Sequence, residues 1–217
     1  MRLIRGPDLA SLHRQVVPYI KRNCYKNQSG LPMKFAGENG YDTIEAPEVS
    51  LVCDTPLVGE MFIADKRIFP ISQRMLDQYA EDLLNGSGKD FVYEYHDRMV
   101  NSEGIDQLEY CVEKLRKSPV TRRAVVKTWQ PKLDCFREDV PCLQLLHFTI
   151  RNGKLHMKVV FRSEDMHLGL GPNMYGLVRL QEAIAEAIIV PVGTYTHVAF
   201  CPHLYWWRDE DYLIHLV

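Results

Sequence analysis

The sequence predicts a single α+β domain, a mixed or largely antiparallel sheet packed with helices. Three observations carry that expectation. Asn152-Gly153 stands between two apolar-rich runs, the strongest short-range signal for an antiparallel hairpin. Several segments repeat apolar residues at helical spacing behind residues that cap helices. Strand-like and helix-like segments mix without a strict βαβ rhythm, which argues against a doubly wound parallel sheet. The chain has 217 residues, enough to bury a substantial core in one unit spanning 1–217.

Taken in order, Asp8 can cap a first helix that places Leu9, Leu12, Val16 and Ile20 on one face. The stretch from Asn27 to Gly40, rich in Gly, Asn and Lys, reads as loop. EVSLVCD (48–54) alternates as a strand does. Residues 57–71 give no clear period. Ser72 opens a helix with Met75, Leu76, Tyr79, Leu83 and Leu84, stopped by Asn85-Gly86. A further helix is expected from about Ile105 to Lys117, through Leu108, Val112 and Leu115, with Pro119 ending it. RRAVVKTW (122–129) reads as a strand, and residues 142–165 as the hairpin. Pro172-Asn173 precedes a helix through Met174, Leu177, Val178, Ile184 and Ile188. TYTHVAF (194–200) is the last strand expected. There is no internal repeat and no low-complexity linker.

Composition narrows the function classes. Hydrophobic residues make up 46% and charged residues 25%, an ordinary globular balance. A net charge of −2 gives no global pull toward nucleic acid or membrane, so an anion site has to be local. MRLIRGPDLA lacks an apolar signal core, and no run approaches the roughly 18 apolar residues of a membrane span. The expectation is a cytoplasmic protein with no nucleic-acid or membrane partner. The six cysteines are scattered without a C-x-x-C pair, which argues against a zinc knuckle, and no metal is expected.

The hairpin suggests chemistry. Pairing about Asn152-Gly153 sets Cys142 opposite Ser163 and Leu143 opposite Arg162; a bulge would shift this by one residue. A thiol, a guanidinium and a hydroxyl then meet at the open end, with Asp165 just beyond. A thiolate is a nucleophile that a nearby cation favours, and Arg binds phosphate with two N–H groups at once. A Cys-His hydrolase is disfavoured, because His147 lies five residues along the strand on the opposite face.

The PC-strand-hairpin unit, then RSEDMHLGLGPNM and HLY (203–205), resembles the core of the thymidylate synthase family. SPVTRRAVVKTW (118–129) and FVYEYHDRM (91–99) are similar to its paired-arginine strand and its Tyr…Arg segment. The resemblance covers about residues 76–207, and the compact chain looks like the archaeal branch. It implies that Cys142 adds to C6 of dUMP, whose C5 then takes a one-carbon unit from a reduced pterin to yield dTMP. The donor would be 5,10-methylene-tetrahydrofolate or methylene-tetrahydromethanopterin. Arg162 and Ser163 would hold the phosphate, joined by Arg122 and Arg123 from the second subunit of an obligate homodimer, formed through a sheet face. Asn173 would read the uracil edge, and His203 and Tyr205 the deoxyribose hydroxyl. Asp165 would contact the pterin and Tyr93 would assist proton movement beside Cys142. A helix-borne glutamate is also implied; Glu81, placed near the apolar face of its helix, is expected to fill that role, with Glu60 as rival. The chain departs from the family at Leu143, usually His, and at Cys201, usually Asp. Its tryptophans are Trp129, Trp206 and Trp207, with none upstream. Two alternatives stay open: a pyrimidine hydroxymethylase, which delivers water instead of hydride, and a dimeric nucleotide-binding protein without catalysis. The loop over 23–47, with Lys26 and Lys34, is expected to close over phosphate or pterin.

Overall fold

The computed structural model describes residues 1–36, 42–59, 66–88 and 93–215. In chain order the elements are β1 (Arg2–Gly6), α1 (Leu9–Asn23), β2 (Lys34–Ala36), β3 (Asp42–Glu45), β4 (Val49–Cys53) and α2 (Gln73–Asn85). They continue with α3 (Tyr95–Val100), α4 (Gln107–Lys117), β5 (Ala124–Lys127), α5 (Pro131–Asp134), β6 (Leu143–Arg151) and β7 (Lys154–Asp165). The last three are α6 (Leu170–Ala187), β8 (Val192–Tyr205) and α7 (Trp206–Leu213).

Among the described residues eight strands form one mixed sheet in the order β1-β4-β8-β7-β6-β5, with β3 on the far end of β8 and β2 on β3. The β1–β4 and β7–β8 pairs are parallel and the other pairs antiparallel. The α+β expectation therefore holds. On β7, Leu155, Met157, Val159 and Phe161 are buried while Lys154, His156, Lys158 and Val160 are half-buried or exposed. One face of the sheet thus carries the core, shared with Leu12, Val16 and Ile20 of α1, Leu115 of α4, and Leu177, Val178 and Ile184 of α6.

Helix starts follow the local chemistry. Asp8 accepts the Ser11 N–H at 2.7 Å and Ser72 accepts that of Met75 at 3.3 Å, each meeting an otherwise orphaned donor. Gly86 closes α2 at φ +81°, a conformation open to glycine. Helix α4 starts at Gln107, two residues later than the apolar spacing suggests, because Asp106 caps Glu109 N–H at 2.9 Å and Ile105 stays outside, 60% exposed. Helix α6 starts at Leu170, ahead of the Pro172-Asn173 boundary expected; Pro172 fits in its first turn, where a missing N–H costs nothing.

The stretch read as loop from Asn27 contains the short strand β2, and β3 joins Thr43–Glu45 to His203–Tyr205 of β8. Residues 37–41 of that stretch lie outside the described residues. No helix among the described residues is long and apolar enough to cross a membrane.

Candidate active site

The hairpin centred on Asn152-Gly153 forms, with Arg151 opposite Lys154. A β-bulge between Leu143 and Leu145 then shifts the register by one. Leu143 consequently faces Phe161, and the Arg162 N–H donates to the Cys142 carbonyl at 2.8 Å. Cys142 is thus beside Arg162, one residue from the unbulged pairing. The Arg162 guanidinium donates to the carbonyls of Pro141 at 3.1 Å and Val140 at 2.9 Å, which fastens the segment leading into the cysteine.

Cys142 is half-buried and near enough to Tyr79, Tyr93 and Tyr95 to act on all three hydroxyls. Tyr95 accepts the Leu143 N–H at 3.2 Å and so grips the residue after the thiol. The Tyr93 ring lies 5.6 Å from that of Tyr95. Burial first, then the neighbouring Cys142, pushes the Tyr93 hydroxyl up to about 12, so it keeps its proton at neutral pH. Tyr79 comes from α2, and burial together with Glu164, Tyr93 and Cys142 raises its hydroxyl too.

Tyr79 donates to Oδ1 of Asn173, and Asn173 Nδ2 donates to Oε1 of Glu164 at 2.9 Å. Glu164 is 2% exposed, and burial holds its carboxyl well above the ordinary value of 4.5. Its Oε2 lies 3.8 Å from Nε2 of His197, a ring that burial lowers to about 3. His197 stacks on Phe161, centroids 4.5 Å apart, and bonds the Tyr195 hydroxyl through Nδ1 at 2.9 Å.

On the side of Arg162, β7 and β8 run in parallel register, Ser163 beside Cys201 and Asp165 beside His203. Ser163 Oγ and His203 Nδ1 share a 3.2 Å hydrogen bond, and the His203 and Tyr205 rings meet edge to face at 5.3 Å. Asp165 is gripped by Arg208 through two 2.9 Å bonds and by the N–H groups of His167 and Leu168. The same arginine donates to Asp209, a buried carboxylate that also bonds His167 Nδ1 at 2.8 Å. Burial pushes Asp209 up, but the bonds from His167 and Arg208 outweigh it and its carboxyl sits below the ordinary range. The strand ends and α7 are thereby locked together.

The structure brings Cys142, Arg162, Ser163, Asn173, His203, Tyr205 and Asp165 to the adjoining ends of β6, β7, β8 and α6, with Tyr93 reaching in from ahead of α3. Arg122 and Arg123 stay apart, exposed just ahead of the edge strand β5. Glu81 is a correction: it is exposed on α2 and accepts from the Asn85 side chain at 2.8 Å, not desolvated beside the cysteine. Residues 79, 80 and 83 take the buried side of α2 there, and 81 points away. Glu60, its rival, lies outside the described residues. The buried carboxyl of the cluster is Glu164, which sequence reasoning passed over; a Glu between Ser and Asp at a strand end reads as solvated. Among the described residues no three His, Cys, Asp or Glu side chains gather as metal ligands.

Three comparisons bear on this arrangement. The family model described as thymidylate synthase matches residues 70–213. A protein of Methanocaldococcus jannaschii named "Putative thymidylate synthase" is 44% identical over 154 residues, 67% of this chain and 69% of that one. One of Methanosarcina barkeri with the same name is 38% identical over 143 residues, 65% of this chain and 64% of its own length. Among solved structures, thermostable thymidylate synthase A from Bacillus subtilis superposes with a TM-score of 0.66 at 19% identity, over 96% of this chain and 84% of that one. Thymidylate synthase from T4 phage gives 0.65 at 20% identity, over 92% and 78%.

Proposed function

The chain belongs to the thymidylate synthase family, and from that premise we propose that it methylates dUMP at C5 to give dTMP through a covalent bond from Cys142 to C6. What supports this most is the arrangement around the thiol. Cys142 stands near a phosphate-type pair, Arg162 with Ser163, and a clamped amide, Asn173, that suits the edge of a uracil.

Each side chain then has one task. Arg162 and Ser163 take the phosphate, and His203 and Tyr205 the deoxyribose hydroxyl. Cys142 adds to C6 as the thiolate; the electron pair of the C5–C6 bond moves toward C5 and O4. The Asn173 N–H meets O4 where that charge grows, from a fixed position. C5 bonds the one-carbon unit and loses its proton, with the Tyr93 hydroxyl beside Cys142 placed to pass it on. The C6–S bond finally breaks and returns the thiolate. The donor, 5,10-methylene-tetrahydrofolate or methylene-tetrahydromethanopterin, would supply the methylene, depart as the bond from that carbon to the pterin nitrogen breaks, and give the hydride that completes the methyl group, becoming oxidised to the dihydropterin. Asp165 suits a pterin N–H: among the described residues its Oδ2 accepts only from Arg208, which leaves a lone pair.

Glu81 receives no step. Arg122 and Arg123, exposed ahead of β5, suit a phosphate in a second copy of the chain, with the less covered sheet face as the homodimer interface.

The test uses 5-fluoro-dUMP with each methylene-pterin, followed by mass measurement of the denatured protein. Fluorine at C5 cannot leave as a proton does, so the reaction stalls as a covalent complex. An adduct of nucleotide plus pterin mapped to Cys142 is expected, together with dTMP from dUMP. Absence of that adduct with either pterin, while nucleotide binds, refutes the reading. Cys142→Ser should lose the adduct and keep nucleotide affinity.

A further inference from the structure

An asparagine alone cannot tell uracil from cytosine. Its two amide ends have nearly the same shape, so a free amide turns over and offers either pattern. Uracil presents an acceptor at C4 and a donor at N3; cytosine presents the reverse. Discrimination therefore rests on whatever holds the amide one way round.

Here two groups hold it. The Tyr79 hydroxyl donates to Oδ1 from α2, and Glu164 Oε1 accepts from Nδ2 at 2.9 Å from β7. One lone pair on Oδ1 and one N–H on Nδ2 remain, side by side, the complement of the uracil edge.

The far side of Glu164 explains why it accepts and does not donate. Oε2 of Glu164 and Nε2 of His197 are buried, 3.8 Å apart, and neither has a hydrogen-bond partner among the described residues. Phe161 covers the imidazole and Tyr195 holds its other nitrogen. An isolated carboxylate is costly in such a site, and burial keeps Glu164 as the acid and His197 neutral. With Asn173 Nδ2 against Oε1 and the His197 nitrogen the polar neighbour of Oε2, a proton on the acid belongs on Oε2, and Oε1 accepts whether the group is ionised or not. The Asn173 amide can then meet it only through Nδ2.

We propose that Glu164, with Tyr79, is the specificity-setting clamp of the pyrimidine pocket, holding the Asn173 amide in the one orientation that accepts uracil and rejects cytosine. This rests on the reading that the pocket takes dUMP. Glu164 acts through Asn173 and is a positioning residue.

Calorimetric affinities for dUMP and dCMP test the clamp on the full chain and on Glu164→Leu, Tyr79→Phe and Glu164→Gln. The wild type should prefer dUMP by at least about tenfold, since one two-point polar match discriminates by that much or more. Glu164→Leu and Tyr79→Phe should bring the ratio toward one, largely by binding dCMP better. General damage would weaken both nucleotides and leave the ratio alone. Glu164→Gln offers an amide that can itself turn over, so its ratio should fall between those of the wild type and Glu164→Leu. Tyr79→Phe retains the ring packing, so it carries the test if Glu164→Leu does not fold. A wild-type ratio in either folded variant overturns the clamp alone. A wild type that binds neither nucleotide sinks the dUMP reading and the clamp with it.

Discussion

Replacing Arg98 with Met should destabilise the protein by about 3 to 5 kcal/mol, the usual cost of stranding one member of a buried ion pair. Arg98 donates twice to Asp134, at 3.0 and 2.7 Å, and the two side chains are 6% and 0% exposed. No water screens that pair, so the small values seen for surface ion pairs do not apply. The substitution leaves the Asp134 carboxylate buried with the Gln130 N–H, at 2.6 Å, as its remaining bond among the described residues. For a chain of this size about 2 to 4 °C of melting temperature corresponds to each kcal/mol, so Arg98→Met should melt about 6 to 20 °C lower. The double variant Arg98→Met, Asp134→Leu removes both charges and should recover at least about 1 kcal/mol, because no unpaired ion remains. Melting of the wild type, the single variants Arg98→Met and Asp134→Leu, and the double variant by circular dichroism completes the cycle. A single variant within about 2 °C of wild type, or a double variant no more stable than the single, refutes the reasoning. The same pair matters to the site: the Arg98 guanidinium lies 6.0 Å from the Tyr93 ring, beside Cys142. Slower formation of the Cys142 adduct should accompany the stability loss.

Stability should also fall as pH drops below 6.5. His13 and His197 stay neutral in the fold, held by burial at about 4 and about 3 against an ordinary 6.5, so both lose stability as pH falls below 6.5. Glu164, raised well above 4.5, works the other way and loses stability as pH rises. The two histidines should therefore make stability fall as pH drops from 6.5 toward 4, with Glu164 opposing them in part; urea midpoints from pH 4.5 to 8 check it, Glu164→Gln should steepen the acid limb, and a flat profile below pH 6.5 contradicts the argument. Gly176→Ala should be net destabilising despite better helix propensity, worth about 1 kcal/mol, because the new methyl would stand 3.0 Å from the Tyr79 ring and 3.2 Å from Leu83. It should also weaken dUMP binding by moving Tyr79; unchanged melting together with unchanged affinity would refute the close packing of α2 on α6.

Much of the scaffold is legible in local chemistry. Asp8 and Ser72 cap the helices they precede, Gly86 ends α2, and Asn152-Gly153 turns the hairpin. Elements that escaped notice are short: β1, β2, β3, α3, α5 and α7 span three to eight residues. So few residues carry no readable period, and such elements form because neighbours bury them.

Sequence by itself determined the capped helices, the hairpin turn and the stretch of chain that brings Cys142 to Arg162 and Ser163, because capping, turn geometry and side-chain alternation act over a few residues. It also bore the motif that links the chain to its family. Tertiary structure decided what surrounds the thiol. The bulge ahead of Leu145 moved the pairing by one and set Cys142 beside Arg162. The turning of α2 brought half-buried Tyr79 to Asn173 and left Glu81 in solvent. Sheet register and packing enclosed Glu164 with Asn173 and His197. Which polar group is desolvated depends on partners distant in sequence, and desolvation is what turns an ordinary glutamate into a buried acid.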